Sequence, residues 1–382
     1  MKNVYLLRDA IISPIGFNTR ENLLSLRQGI SGLKLHKEPQ QTPSEYTAGI
    51  IEDKLLNENF REIGDPDSYT KLEKMMILAV AGILSEKEAL DLDQTGLIIS
   101  STKGNIDLLG YESGFDKKRV LLSELGKQIK EFFGFKLEPV IVSNACISGG
   151  LALSVAKRLM NAGKFQNAVV VAGDLVSEFV LSGFNSFQAL SEGACKPFSK
   201  DRNGISLGEA AAGVLLSEKA AENKANVALV AEASANDANH ISGPSRTGEG
   251  LFKSIQNAFR YSGVKPGQID YLSAHGTATP YNDEMEAVAF NRCGLEKTPV
   301  NSLKGYYGHT LGASALIESI VCKHSLLNGE LYQSLNFTAS GVSKPLNIIQ
   351  NYRNQNLEYA LKTASGFGGS NLALILKKEN NG

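Results

Sequence analysis

The sequence lacks any cysteine pair at CxxC spacing, and its four cysteines, Cys146, Cys195, Cys293 and Cys322, are widely scattered. That excludes a disulfide framework or a cysteine-based zinc site as an organising element and fits a reducing compartment. No apolar run approaches the roughly 18 residues that a membrane span needs. Lys2, Arg8 and Asp9 break up the start, where a signal peptide would need an uninterrupted apolar core. An excess of charge is also missing: 39 basic and 40 acidic residues give a net −1, which excludes a nucleic-acid binder relying on a broad basic face. No low-complexity linker divides the chain. The expectation is a soluble, cytoplasmic protein with one continuous core, engaging neither nucleic acid nor membrane.

What is present is ordinary globular composition, 42% apolar and 21% charged over 382 residues, enough for a large core. Short β-rich runs alternate with helical patterns, which predicts an α/β fold. Strands are expected at 96–100, 140–144, 168–172, 211–216, 227–231, 271–274, 357–363 and 372–376. The run Ala168-Val169-Val170-Val171-Ala172 has no polar alternation, as a strand covered on both faces should not. Leu72, Met76 and Val80, and again Leu151, Val155 and Leu159, recur at helical spacing.

The chain also reads as a duplication. Pro139-Val140 leads to Cys146, then Gly149 and an apolar helix ending near Gly163; Pro299-Val300 leads to His309, then Gly312 and a similar helix ending near Gly329. Gly208-Glu209-Ala210 precedes one apolar strand, as Gly368-Gly369-Ser370 precedes another. Two duplicated α/β halves are expected, 1–222 and 223–382, with a seam near 221–226.

Cys146 lies at a predicted strand-to-helix junction, in Asn144-Ala145-Cys146-Ile147-Ser148-Gly149-Gly150. The helix start would favour its thiolate, and its own amide could serve an oxyanion. A buried, inert cysteine fits the segment equally well. His275, in Ser273-Ala274-His275-Gly276-Thr277, and His309, in Tyr307-Gly308-His309-Thr310, are two of only five histidines. Each follows a strand within a Gly-rich turn, and ligand sites gather outside strand carboxyl ends. His36 and His324 read as surface or packing residues. Gly366-Phe367-Gly368-Gly369-Ser370-Asn371 opens onto a strand, which disfavours a phosphate loop. It is either a tight turn or an amide donor beside the nucleophile, with Phe367 as a movable cover.

Taken in order, these segments resemble the β-ketoacyl-acyl-carrier-protein synthases, elongating condensing enzymes of the thiolase-like superfamily. The resemblance runs from Ser13-Pro14-Ile15-Gly16 through Ala145-Cys146-x-Ser148-Gly149 and Pro197-Phe198-Ser199-Lys200-Asp201-Arg202-Asn203-Gly204. It ends with His275-Gly276-Thr277-x-Thr279-Pro280, Lys304-x-x-x-Gly308-His309-x-x-Gly312-Ala313 and Gly366-Phe367-Gly368-Gly369-Ser370-Asn371. It implies a thiolase-like fold layered α-β-α-β-α and an acyltransferase with Cys146 as acyl carrier. His275 and His309 would serve the malonyl enolate, Lys304 and Glu286 would be paired charges beside them, and Phe367 would donate its amide. Thr277, Thr279 and Ser242 would hold the pantetheine arm. No metal is implied, nor any cofactor bound by the enzyme, since acyl carrier protein brings its own phosphopantetheine. Partners would be loaded carrier protein and, in a homodimer or heterodimer, a related ketosynthase subunit. Lys71, Lys74, Lys196, Lys200 and Arg202 are candidate carrier contacts.

Lys103 departs from the resemblance, standing where relatives place apolar residues beside the acyl pocket. Facing that pocket it would select short, unsaturated or polar-ended chains; turned to solvent or paired with Asp107 it would leave the pocket ordinary. The pathway is therefore open between fatty-acid and specialised polyene or polyketide synthesis. A non-catalytic subunit resembling the chain-length factors is the rival reading, opposed by the presence of Cys146 and both histidines.

Overall fold

The computed structural model describes residues 3–38, 43–85, 90–110, 114–237 and 243–380. Among the described residues, ten principal strands build the large sheet. The first five are β1 (Val4–Ile12), β2 (Thr95–Ser100), β3 (Val140–Val142), β4 (Asn167–Asp174) and β5 (Ala210–Ser217). The second five are β6 (Asn226–Asn236), β7 (Tyr271–Ser273), β8 (Pro299–Asn301), β9 (Tyr359–Gly366) and β10 (Ser370–Glu379). Their order across the sheet is β8-β7-β9-β10-β6-β1-β5-β4-β2-β3, with a two-residue strand, Asn347–Ile348, outside β8.

One topology occurs twice. β1 and β5 are antiparallel, as are β5 and β4, whereas β4, β2 and β3 run parallel. The pairs β6·β10, β10·β9, β9·β7 and β7·β8 repeat those senses in the same sequence. The two sets join into one sheet where Val4 and Tyr5 of β1 pair with Leu229 and Ala228 of β6. Composition alone did not mark β1 as a strand, because Arg8 and Asp9 interrupt it. The acid is accommodated: the Asp9 carboxylate accepts from Lys323 Nζ, with His324 Nε2 3.0 Å from both its oxygens.

Alternating side chains separate the layers. In β4, Val170 and Ala172 enter a central core while Val169 and Val171 enter an outer one, so the apolar run is buried on both faces. The central layer is α2 (Ser148–Asn161) and α6 (Ser314–Asn328), which supply Leu153, Ala156, Leu316 and Ile320. Outside the first five strands lies α1 (Lys71–Leu84), with Leu72, Met76 and Val80 inward. A capping box of Thr70 and Glu73 starts it. Outside the second five lie α4 (Glu249–Ser262) and α5 (Pro280–Arg292), contributing Leu251, Ile255 and Phe290. The result is the α-β-α-β-α layering. Gly149 is needed at its centre, because a Cβ there would come within 2.5 Å of the Gly312 carbonyl oxygen. That close approach brings the turns carrying Cys146 and His309 together.

Candidate active site

β3 ends at Val142 and α2 begins at Ser148, leaving Cys146 in the connecting turn. Ala145 takes φ of 44°, a strained left-handed conformation that bends the chain just before the sulfur. Gly366, at the end of β9, passes so close that a Cβ on it would lie 3.1 Å from the Cys146 nitrogen. The next amide, that of Phe367, favours the charged form of the Cys146 thiol. The expected thiolate is not what results: burial pushes the thiol up to about 11, outweighing Lys304, Lys103 and the Phe367 amide. Desolvation wins because the residue is buried and helix α2 starts two positions beyond it.

His275 leaves the end of β7, and His309 follows β8 after the short helix Lys304–Tyr307. The sulfur of Cys146 and the nearest ring nitrogens of His275 and His309 all lie within 4.8 Å of one another. The two rings meet edge to face, with centroids 5.1 Å apart. His309 is clamped by the other half of the chain: its N–H donates to the Ser206 carbonyl at 2.7 Å, and its carbonyl accepts from Gly208 at 3.1 Å. Any side chain on Gly208 would collide with the Tyr307 carbonyl. Burial, reinforced by Lys304 and Lys362, holds both histidines well below their ordinary range, so both are neutral imidazoles near pH 7.

The paired charges differ from expectation. Lys304 forms its ion pair with Glu318 on α6, at 3.0 Å, and not with Glu286. Its ammonium also donates to the His275 carbonyl and lies 3.3 Å from His275 Nδ1. An ammonium can only donate, so Nδ1 accepts and the ring proton sits on Nε2. Ser314 Oγ, 3.0 Å from His309 Nδ1, can impose the same tautomer there. Glu286 instead receives the N–H groups of His275 and Gly276 at 2.8 and 2.6 Å, fixing the turn. Burial and neighbouring Asp283 push it up to about 7. Glu318, Lys362 and Ser314 were missed in the sequence. A lysine within Ala360-Leu361-Lys362-Thr363-Ala364, or a glutamate between Ile317 and Ser319 of an apolar helix, signals a buried ion.

A cavity of about 470 Å³ opens over the three residues, and Thr277, Thr279 and Phe367 line it as well. The two threonine hydroxyls bond each other at 2.8 Å. Phe367 stacks on Phe184 of α3 (Glu178–Ser186) at 5.6 Å and meets Phe187 edge-on at 5.5 Å. Ser242 lies outside the described residues. Lys103 is not among the described residues lining the cavity; half-buried, it donates to Thr102 Oγ1 at 3.3 Å, yet its charge reaches Cys146 and His309. Asp174, also missed, accepts from Thr102 and from Gly312, tying the Lys103 loop to the turn after His309. Cys146, His275 and His309 have the spacing of a metal cluster, but the donor chemistry does not suit one. A ligating histidine normally donates its far N–H to an acceptor, whereas His275 Nδ1 faces an ammonium.

Most of the proposed carrier contacts are engaged within the protein. Lys71 is paired with buried Glu209 at 2.8 Å and with Asp53 at 3.0 Å. Lys74 donates to Asn57 Oδ1 at 2.6 Å. Lys196 pairs with Asp201, and Arg202 donates to the carbonyls of Ser199 and Gly341. Lys200 is exposed. His36 lies 3.1 Å from the Ala48 carbonyl and stacks on Tyr46. Among the described residues no helix is long and apolar enough to cross a membrane.

A duplicated five-layer fold with a cysteine and two histidines on converging turns defines the class as a thiolase-like condensing enzyme. Comparison with known proteins is more specific. The β-ketoacyl synthase N-terminal domain matches residues 18–222 and the β-ketoacyl synthase C-terminal domain residues 227–338. The chain belongs to this family of enzymes. It is 27% identical to a putative mitochondrial 3-oxoacyl-[acyl-carrier-protein] synthase of Schizosaccharomyces pombe, over 99% of both chains. It is also 27% identical to 3-oxoacyl-[acyl-carrier-protein] synthase 2 of Staphylococcus aureus, over 99% of this chain and 98% of the relative. Among solved structures, the ketosynthase ApeO complexed with its chain length factor ApeC, from Xenorhabdus doucetiae, superposes with a TM-score of 0.85. That match covers 99% of this chain and 98% of that one, at 23% identity. The ishigamide ketosynthase/chain length factor gives 0.86 at 22% identity, covering 99% and 100%. At those identities the structural likeness speaks to the fold.

Proposed function

We propose that the chain is an acyltransferase that condenses an acyl group held on Cys146 with malonyl-acyl carrier protein, giving a 3-oxoacyl-carrier product. The observation that carries this reading is the convergence of Cys146, His275 and His309, all buried, within 4.8 Å of one another. Cys146 attacks the incoming thioester; the acyl group moves to its sulfur, and the carrier's thiol leaves with the proton. A malonyl thioester then loses carbon dioxide. Its enolate oxygen accepts from Nε2–H of His275 and of His309, donors that neutral rings of the stated tautomer supply. The enolate carbon attacks the acyl carbonyl, whose oxyanion accepts from the amides of Cys146 and Phe367. Collapse expels the Cys146 thiolate, which regains a proton, and releases the product longer by two carbons.

Thr277 and Thr279 hold the pantetheine amides in this reading, and the phosphopantetheine belongs to the carrier, leaving the enzyme without a cofactor of its own. Lys304 and Glu286 act through His275, the first setting its tautomer and the second its backbone. The halves 1–222 and 223–382 contribute the nucleophile and the histidines respectively. A related ketosynthase subunit, identical or not, is the proposed partner, as a chain length factor is for ApeO. Because Lys103 is not among the described residues lining the cavity, Lys103→Ile should leave the preference among acyl chains unchanged, and a shift toward long saturated chains would return its ammonium to the pocket.

The decisive experiment separates the half-reactions. Wild type should take up an acyl group on Cys146 by intact mass and decarboxylate malonyl-carrier protein. His275→Ala or His309→Ala should slow decarboxylation roughly 100-fold or more and affect acylation less. Wild-type decarboxylation in both variants would remove the enolate role.

A further inference from the structure

Lys362 touches no substrate in the proposed condensation, yet its placement is unusual. It lies in the middle of β9, fully buried, on the strand face shared with the central-layer residues Ala360 and Ala364, while Leu361 faces the outer core. Its ammonium is 2.6 Å from Glu318 Oε2 and donates to the carbonyls of Ser273, at 3.3 Å, and Ala274, at 3.2 Å. Lys304 meets the other oxygen of the same Glu318 and donates to the carbonyl of His275. Three consecutive carbonyls, at 273, 274 and 275, are therefore gripped by two ammonium groups bridged by one carboxylate.

One carboxylate balances one ammonium, so the second lysine leaves a net positive charge in the core. Stability gives little reason to keep it, since well-packed apolar residues in place of buried ions are often neutral or stabilising. What Lys362 adds is a hold on the two peptide groups that lead into His275. β7 is only three residues long, and Gly276 beyond the histidine turns with φ of 46°. We propose that Lys362 is a positioning residue that fixes the end of β7 so that the Nε2–H of His275 stays aimed at the substrate oxygen. It transfers no proton, and the role rests on the condensation reading. Burial together with Lys304 and Lys362 also favours the neutral ring that this role requires.

The test compares the whole chain with Lys362→Met and Lys362→Gln, the second being the milder change should the first misfold. Decarboxylation of malonyl-carrier protein is followed by kcat and KM, self-acylation of Cys146 by intact mass, and folding by the unfolding midpoint. The expected result is a kcat for decarboxylation lower by roughly 10- to 100-fold, the scale of a displacement of about 1 Å. KM and self-acylation should stay within about twofold. Decarboxylation at the wild-type rate in a folded variant would overturn the proposal. Equal losses in both half-reactions, or the failure of both variants to fold, would overturn it too by making Lys362 structural. If wild type acylates but does not decarboxylate, the condensation reading itself falls.

Discussion

Replacing Glu318 with glutamine removes the one carboxylate shared by Lys304 and Lys362, at 3.0 and 2.6 Å, and leaves two ammonium groups side by side in the core. The protein can relieve this by releasing a proton from one lysine, and Lys362 is the one to lose it, because burial already lowers its pKa. The cost of that discharge limits the damage: relative to an unfolded lysine near 10.4, it is about 4 kcal/mol at pH ~7.5 and about 1 kcal/mol at pH ~9.5. The sign follows from linkage. A lysine whose folded pKa lies below its unfolded value destabilises wherever the unfolded chain still binds the proton, and the penalty fades as pH rises toward the unfolded pKa. Glu286, near 7, lies below this window, and buried Cys322, whose thiol is pushed up, lowers stability as pH rises, the opposite trend, in both proteins. Urea unfolding of wild type and Glu318→Gln at the two pH values measures the difference directly. A deficit that is the same at both, or below about 1 kcal/mol at the lower pH, would show that the two lysines do not share this carboxylate as a buried charge.

With its thiol near 11, Cys146 should be alkylated by iodoacetamide about tenfold faster for each pH unit between roughly 7 and 10. A plateau within that range, or a label mapped to Cys195, Cys293 or Cys322, would contradict the assignment. Gly366→Ala would place a Cβ 3.1 Å from the Cys146 nitrogen and 2.9 Å from Ser370 Oγ. Self-acylation should fall by roughly tenfold or more from the displaced amides, and an unchanged rate by intact mass would separate Gly366 from the oxyanion site. Lys71→Glu sets a third negative charge against Glu209 and Asp53. It should destabilise by about 3 kcal/mol or more, seen in the unfolding midpoint, whereas an unaffected midpoint with a raised KM for carrier would restore Lys71 to the docking surface.

The strands at 168–172 and 211–216 were legible because both faces are covered, which writes an unbroken apolar run into the sequence. β1 was not, because Arg8 and Asp9 interrupt it and the partner of Asp9, Lys323, lies 314 positions away in the chain. The nucleophile and both histidines stood out through their glycine neighbours, which the structure requires for close approach at Gly149, Gly276 and Gly308. Their supporting ions did not. Lys71 reads as an exposed helix-start lysine, and only tertiary packing places Glu209 against it; Lys304 likewise gains its partner from a separate helix that the fold brings beside it. The state of the Cys146 thiol was also beyond the sequence, since the local helix argues one way and burial the other.

The short pairing of β1 with β6 constrains how such a chain can be recombined. A chimera that joins the first segment of one family member to the second segment of another must do more than connect β5 to β6. Val4 and Tyr5 from one parent must register against Leu229 and Ala228 from the other, and the Gly149 turn must still admit the Gly312 carbonyl. Compatible parents are those that agree at these contacts, whatever their similarity elsewhere. A molecule assembled from a repeated unit is in this sense inherited as an indivisible one.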